Sequence, residues 1–125
     1  MRLAGRRRQQ GAPAWAFGRH STDASGAVWQ ATYGSNPVIG KWTHLVGVFD
    51  ATNQEIRLYV GGKLTAARDW TYTPWNATAS LQIGRKLSYG EYANAGISDI
   101  HIYNTALPPA DAAATGDKPA ISQLD

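Results

Sequence analysis

The residues of this chain best equipped for chemistry are its aromatics. Five tryptophans and six tyrosines occur in 125 residues. Each offers a flat apolar face and a polar tip, suited to stacking on a sugar ring and hydrogen bonding beside it. Trp70, Tyr72 and Trp75 crowd one stretch around Thr71, Thr73 and Pro74, while Tyr89 and Tyr92 flank Gly90 and Glu91 in another. Both stretches read as loops, where an aromatic either folds back over the core or meets a partner. Asp69, Arg85 and Glu91 adjoin these rings and are candidates to orient a bound hydroxyl. Trp75 has two readings, a stacking platform or a plug for the end of the fold.

Other chemistries find less to work with. Hydrolysing a glycoside takes two carboxyl groups flanking one bond, one protonated and one ionised. The two acids nearest in sequence, Asp50 and Glu55, straddle a turn, so the chain reads as no enzyme; a glucanase-like glycoside hydrolase, the remaining alternative, would need carboxylates from distant strands to converge. His20, His44 and His101 are scattered and cysteine is absent, which leaves no zinc-ligand spacing. Neither a GxSxG elbow nor a GxxxxGK[ST] loop occurs. Calcium, a collector of six to eight oxygens, is a nearer fit. Asp50 at a strand end and Asp69 before Trp70 are its candidate ligands, with Asp99 a weaker third. Asp50 equally suits the capping of a turn. No other cofactor is called for.

These side chains need elements to position them. Residues 42–50 (WTHLVGVFD) are rich in β-formers and run into the turn residues 50–53. In 55–60 (EIRLYV), Ile56, Leu58 and Val60 share one face and Glu55, Arg57 and Tyr59 the other, the pattern of a half-buried strand. Gly61-Gly62 supplies the positive φ of a tight turn, and 63–67 returns beside it, completing a three-stranded meander. Residues 14–19 and 27–33 predict two strands upstream. Residues 80–84 and 96–103 predict two downstream, with Leu81 and Ile83, then Ile100 and Ile102, facing inward. Trp42, Tyr59 and Tyr103 fall within strands and are assigned to packing. Pro108-Pro109-Ala110-Asp111 followed by alanines predicts one helical turn, with Gly116 as its stop. Short strands at this spacing, with glycine and proline turns, predict an all-β sandwich.

Three of these segments carry a resemblance. Trp42-Thr43-His44-Leu45-Val46, the hairpin at 56–64 (IRLYVGGKL), and the closing runs 81–85 (LQIGR) and 96–107 (GISDIHIYNTAL) occur in a telling order and spacing. They resemble the LamG-like jelly-roll domains of the concanavalin A-like lectin/glucanase superfamily, particularly the bacterial extracellular ones. The resemblance implies an antiparallel jelly-roll β-sandwich in an exported or cell-surface protein. It also implies a non-catalytic module that binds a glycan or surface polymer, or else an accessory domain packed on a neighbour, with a structural Ca²⁺ in some members. Family domains begin with further strands, so the chain is expected to be incomplete on its N-terminal side and to carry an unpaired sheet edge. Where many relatives have two adjacent acids and then an arginine, this chain has Ser98, Asp99 and His101.

Charge bounds the partners. The formal net charge is +3, but Arg2, Arg6, Arg7 and Arg8 supply four of the twelve basic residues. Without them eight basic residues face nine acidic ones, and the body lacks the basic face of a nucleic-acid binder. No apolar run reaches the length of a membrane span, and no apolar stretch follows Arg6–Arg8 as it would in an export signal. Residues 1–13 therefore read as a disordered basic N-terminus, 14–116 as the domain and 117–125 as a polar tail. The partner is left open between a glycan or surface polymer and a neighbouring domain, and the oligomeric state is left open too.

Overall fold

The computed structural model describes residues 12–86 and 90–115. The expectations for the basic N-terminus up to residue 11, for Tyr89, for Gly116 and for the polar tail lie outside the described residues. Five strands and one helix follow in order: β1 (Ala16–His20), β2 (Trp29–Tyr33), β3 (Leu45–Asp50), β4 (Glu55–Val60), β5 (Lys63–Asp69) and α1 (Pro109–Ala114). β1 and β2 pair antiparallel as one sheet; β3, β4 and β5 form the expected meander as a second. The turn between β4 and β5 carries positive φ at both Gly61 and Gly62, the backbone a two-residue hairpin of the right twist needs. Two pairs into the ladder, the register slips between Leu58 and Tyr59, a bulge that bends the edge strand β5.

Register fixes which residues meet. Gly47, Phe49, Ile56, Leu58, Ala66 and Arg68 share one face of the three-stranded sheet, and the two-stranded sheet covers that face. Phe17 of β1 lies so close over Gly47 that a β-carbon there would overlap its ring, which is why the strand has glycine at this point. Two side-chain hydrogen bonds cross between the sheets: Gln30 Nε2 donates to the Asp69 carbonyl at 2.8 Å, and Arg68 Nη1 to the Ala31 carbonyl at 3.1 Å. The opposite face is covered by α1, whose Ala112 and Ala113, with Leu107, pack on Val46, Val48 and Tyr59. The helix starts where proline places it, with Pro108 at the N-cap and Pro109 in the first turn. β4 is thus enclosed on both faces, and Ile56, Arg57, Leu58 and Tyr59 are all buried. That corrects the half-buried reading of its alternation: the second face holds Arg57 and Tyr59 under the helix rather than in water.

The downstream strands are the larger correction. Among the described residues, 80–84 and 96–103 join neither sheet, and an isolated antiparallel bridge links Arg85 with Tyr92. Leu81 is 64% exposed and Ile102 70%, so the side chains expected to point inward face outward. Alternation marks which residues would share a face, but a strand also needs a second backbone to complete its hydrogen bonds. Asp99, at φ 55°, breaks the extended run in its middle. Trp42 and Tyr103 are correspondingly exposed rather than packed, Trp42 lying before β3 with its ring end against Gly96. Among the described residues no helix is long and apolar enough to cross a membrane.

Candidate functional site

The aromatic stretch 69–75 lies at one end of the sandwich, where β5 ends and the β3–β4 turn comes back beside it. The Trp70 backbone N–H donates to the Gln54 carbonyl at 2.7 Å, so the chain leaving β5 is fastened to that turn. Trp70 is buried, at 1% exposure, and meets Phe49 and Tyr72 edge-on with ring centroids 5.5 Å away in each case. Sequence placed Trp70 on a loop as a candidate contact; the structure makes it the largest fully buried side chain, with Phe49 and Tyr72 edge-on to its ring and the Arg19 guanidinium nearby. Burying a tryptophan-sized area contributes about 4–6 kcal/mol of transfer free energy.

Arg19 organises the rest. Its guanidinium sits 4.0 Å above the Phe49 ring and 5.6 Å from each of the Trp70 and Trp75 rings, and Nη2 donates to the Trp75 carbonyl. The Trp75 indole N–H in turn donates to the His20 carbonyl at 2.7 Å. Trp75 is therefore pinned to β1 from both its backbone and its ring, and remains half-buried. Of its two readings, the plug describes what the ring does here, with part of its surface still open. Desolvation pulls the Arg19 guanidinium below its usual value, yet an arginine stays a cation throughout the working range. Arg19, His20 and Phe49 were not legible as site residues, since nothing in β1 or β3 announces which loop its side chains will meet.

Beside Trp70 the surface opens into a cleft of about 530 Å³ lined by Asn53, Gln54, Asp69, Trp70 and Thr71. Residues bearing two amides, a carboxylate and a hydroxyl thus border one open concavity, the Asn53 amide N–H already donating to Asp50. Asn53, Gln54 and Thr71 were also missed; the turn signal at 50–53 was visible, but not that β5 would end against it. Gln54 is held at φ 52°, an unusual backbone for a residue with a β-carbon.

Asp50, the other candidate calcium ligand, has its oxygens engaged. The Asn53 backbone N–H donates to Oδ1 at 2.9 Å, and the Asn53 side-chain amide donates to Oδ2 at 2.8 Å. The Arg57 guanidinium lies 3.4 Å from Oδ2 and 3.5 Å from Oε2 of Glu55. The hydrogen bonds from Asn53, and then Arg57, hold the Asp50 carboxyl below the ordinary carboxylate range against the opposing cost of its burial. A divalent ion would have to displace a guanidinium, and among the described residues no three His, Cys, Asp or Glu side chains gather to hold one. The described donors do not fit calcium at Asp50, which caps the turn instead.

The remaining expected residues form a second group. Arg85 bridges to Tyr92, Lys86 N–H donates to the Glu91 carbonyl at 2.9 Å, and Ala93 N–H to the Gly84 carbonyl at 2.7 Å. Arg85 Nε also donates to Gln82 Oε1 at 2.7 Å, and Glu91 lies 3.8 Å from Lys86 Nζ. Tyr92 is 70% exposed. The structure thus brings Asp69, Trp70, Tyr72 and Trp75 together at the sandwich end, while Arg85, Glu91 and Tyr92 gather around their own bridge.

Comparison with known proteins agrees with this architecture. The Laminin_G_3 family model, of the concanavalin A-like lectin/glucanases superfamily, matches residues 4–113. Among solved structures the chain is similar to residues 221–444 of an S-layer domain-containing protein from Clostridium thermocellum ATCC 27405, at 18% identity and a TM-score of 0.56. That similarity covers 83% of this chain and 52% of the other, so the chain spans about half the length of its structural neighbour, and at that identity the likeness shows the fold alone. No curated protein matches the chain. With antiparallel sheets stacked face to face and a family match over most of its length, the chain belongs to the Laminin_G_3 family of the concanavalin A-like lectin/glucanases superfamily.

Proposed function

We propose that the chain is a surface-associated, non-catalytic module that recognises a glycan or surface polymer at the end of its sandwich. One observation carries this reading: the cleft lined by Asn53, Gln54, Asp69 and Thr71 beside the Trp70–Tyr72 ring pair. Amides, a carboxylate and a hydroxyl suit a ligand dense in hydroxyls, and the half-buried Tyr72, edge-on to Trp70 and next to the lining, would offer a sugar ring an apolar edge. Trp70 supports the wall from within, and Trp75, tied to His20 and Arg19, holds the rim in shape. The S-layer neighbour and the family are in keeping with a place at the cell surface, where repeated copies would add avidity to weak single contacts. A hydrolytic role finds no support here. Asp50, held ionised by Asn53 and Arg57, is unsuited to be the proton donor a glycosidase needs. A glycan array probed with multivalent protein should give signals that Tyr72→Ala weakens several-fold while the fold persists. A blank array on folded protein would refute the proposal.

A second reading rests on a different observation. Leu81, Ile83, Ile102, Tyr103 and Trp42 are exposed together with the unpaired segments that carry them. An accessory domain that packs on a neighbour would cover such side chains. Fluorescence separates the two readings, because titration with the array's best sugar perturbs emission only if the sandwich end is the working surface.

A further inference from the structure

Resting on the glycan-binding reading of the same cleft, we infer that its ligand carries a protonated amine: an amino sugar with a free ammonium group rather than a neutral or acidic one. The lining holds a single charged residue, Asp69, among the neutral side chains of Asn53, Gln54, Trp70 and Thr71. Asp69 is exposed, and only its backbone carbonyl is engaged, by Gln30. Cross-strand register sets Asp50, Glu55 and Asp69 in one row across the sheet end. Arg57 is the cation of that row and is shared between Asp50 and Glu55. Three carboxylates against one guanidinium leave the row with two excess negative charges, one spread over Asp50 and Glu55 around Arg57 and the other at Asp69, which has no cationic partner in the row. The two other arginines nearby are turned elsewhere: Arg68 donates to Ala31, and Arg19 lies over Phe49.

This arrangement selects among sugars by charge. An acidic sugar would meet an uncompensated carboxylate, and like charges brought together repel. A neutral sugar would donate a charge-assisted hydrogen bond to Asp69 but bring no opposite charge to it. An ammonium group supplies three donors to a carboxylate whose cleft is also lined by Asn53, Gln54 and Thr71, residues that carry oxygen acceptors. One carboxylate matches one monovalent cation, whereas calcium asks for six to eight oxygens.

The test is calorimetric titration of the protein at about pH 6 with three oligosaccharides of equal length: β-1,4-linked glucosamine, its N-acetylated counterpart and an oligoglucuronate. The expected result is binding of the glucosamine oligomer about fivefold tighter than its acetylated counterpart, with the glucuronate weakest, since an exposed ion pair gives a factor of about that size. Asp69→Asn should bring the first two within about twofold of each other, with an unchanged melting temperature because the side chain has no structural partner. Added salt should shrink the preference in the unmodified protein and leave the variant indifferent. Equal or tighter binding of the acetylated oligomer, or a preference that survives Asp69→Asn, overturns the inference and leaves glycan binding standing. Absence of binding by all three overturns both.

Discussion

The two aromatic-bearing halves of the molecule have the same sequence grammar and opposite fates. Around residues 45–75, alternating strands close on one another, and Trp70 is buried against a half-buried Phe49 beneath Arg19. Around residues 81–103, equally alternating segments stay outside both sheets with Leu81, Ile83 and Ile102 open to solvent. The difference is one of pairing. The β4 ladder has a backbone on either side, a sheet above and a helix below, whereas among the described residues the later segments meet no strand. A period of two prepares a side-chain face; only a paired backbone and a covering layer make that face worth burying.

The contrast can be broken most forcefully at Trp70. Trp70→Ala should cost about 3–5 kcal/mol in denaturant unfolding, the penalty for emptying a large core socket. A loss below about 1 kcal/mol would mean that the ring is not part of the core. Arg19→Ala should cost about 1–2 kcal/mol, from the lost contact with Phe49 and the lost hydrogen bond to Trp75. Arg19→Lys should recover only part of it, because an ammonium cannot lie flat on the ring while donating sideways.

Acid sharpens the comparison further. The Asp50 carboxyl is held below its ordinary value in the folded protein, so the stability it brings is complete above the unfolded carboxylate value of about 3.9. That stability is lost as the pH falls through the lower folded value. Melting temperatures measured downward from about pH 5 should therefore fall, and Asp50→Asn should flatten part of that decline; an unchanged slope would detach Asp50 from its turn. The smallest effect is expected at Ile102→Ser, within about 0.5 kcal/mol of the parent, as for exposed positions in general. A cost of several kcal/mol there would place residues 96–103 in a buried sheet after all.

Much of the meander was readable from residues. Asp50 through Asn53 announced a turn, Gly61-Gly62 announced a hairpin, and the apolar face of Ile56 and Leu58 lies where alternation puts it. The prolines at 108 and 109 likewise marked the start of α1. What stayed hidden was every contact made across a long stretch of chain. Arg19 and Trp75 are 56 residues apart and Gln30 and Asp69 are 39 apart, and local spacing carries no trace of such meetings. The same holds for the cleft, whose Asn53 and Thr71 come together only because β5 ends beside the β3–β4 turn. Loop aromatics were legible as a resource, but not which of them the core would claim.

The most direct test of recognition at the sandwich end is an amide chemical-shift titration with the best sugar from the array. Binding there requires saturable shifts at Asn53, Gln54 and residues 69–72, fading toward the Arg85–Tyr92 bridge. Saturable shifts confined to residues 81–86 and 91–103, with the cleft residues silent, would contradict it.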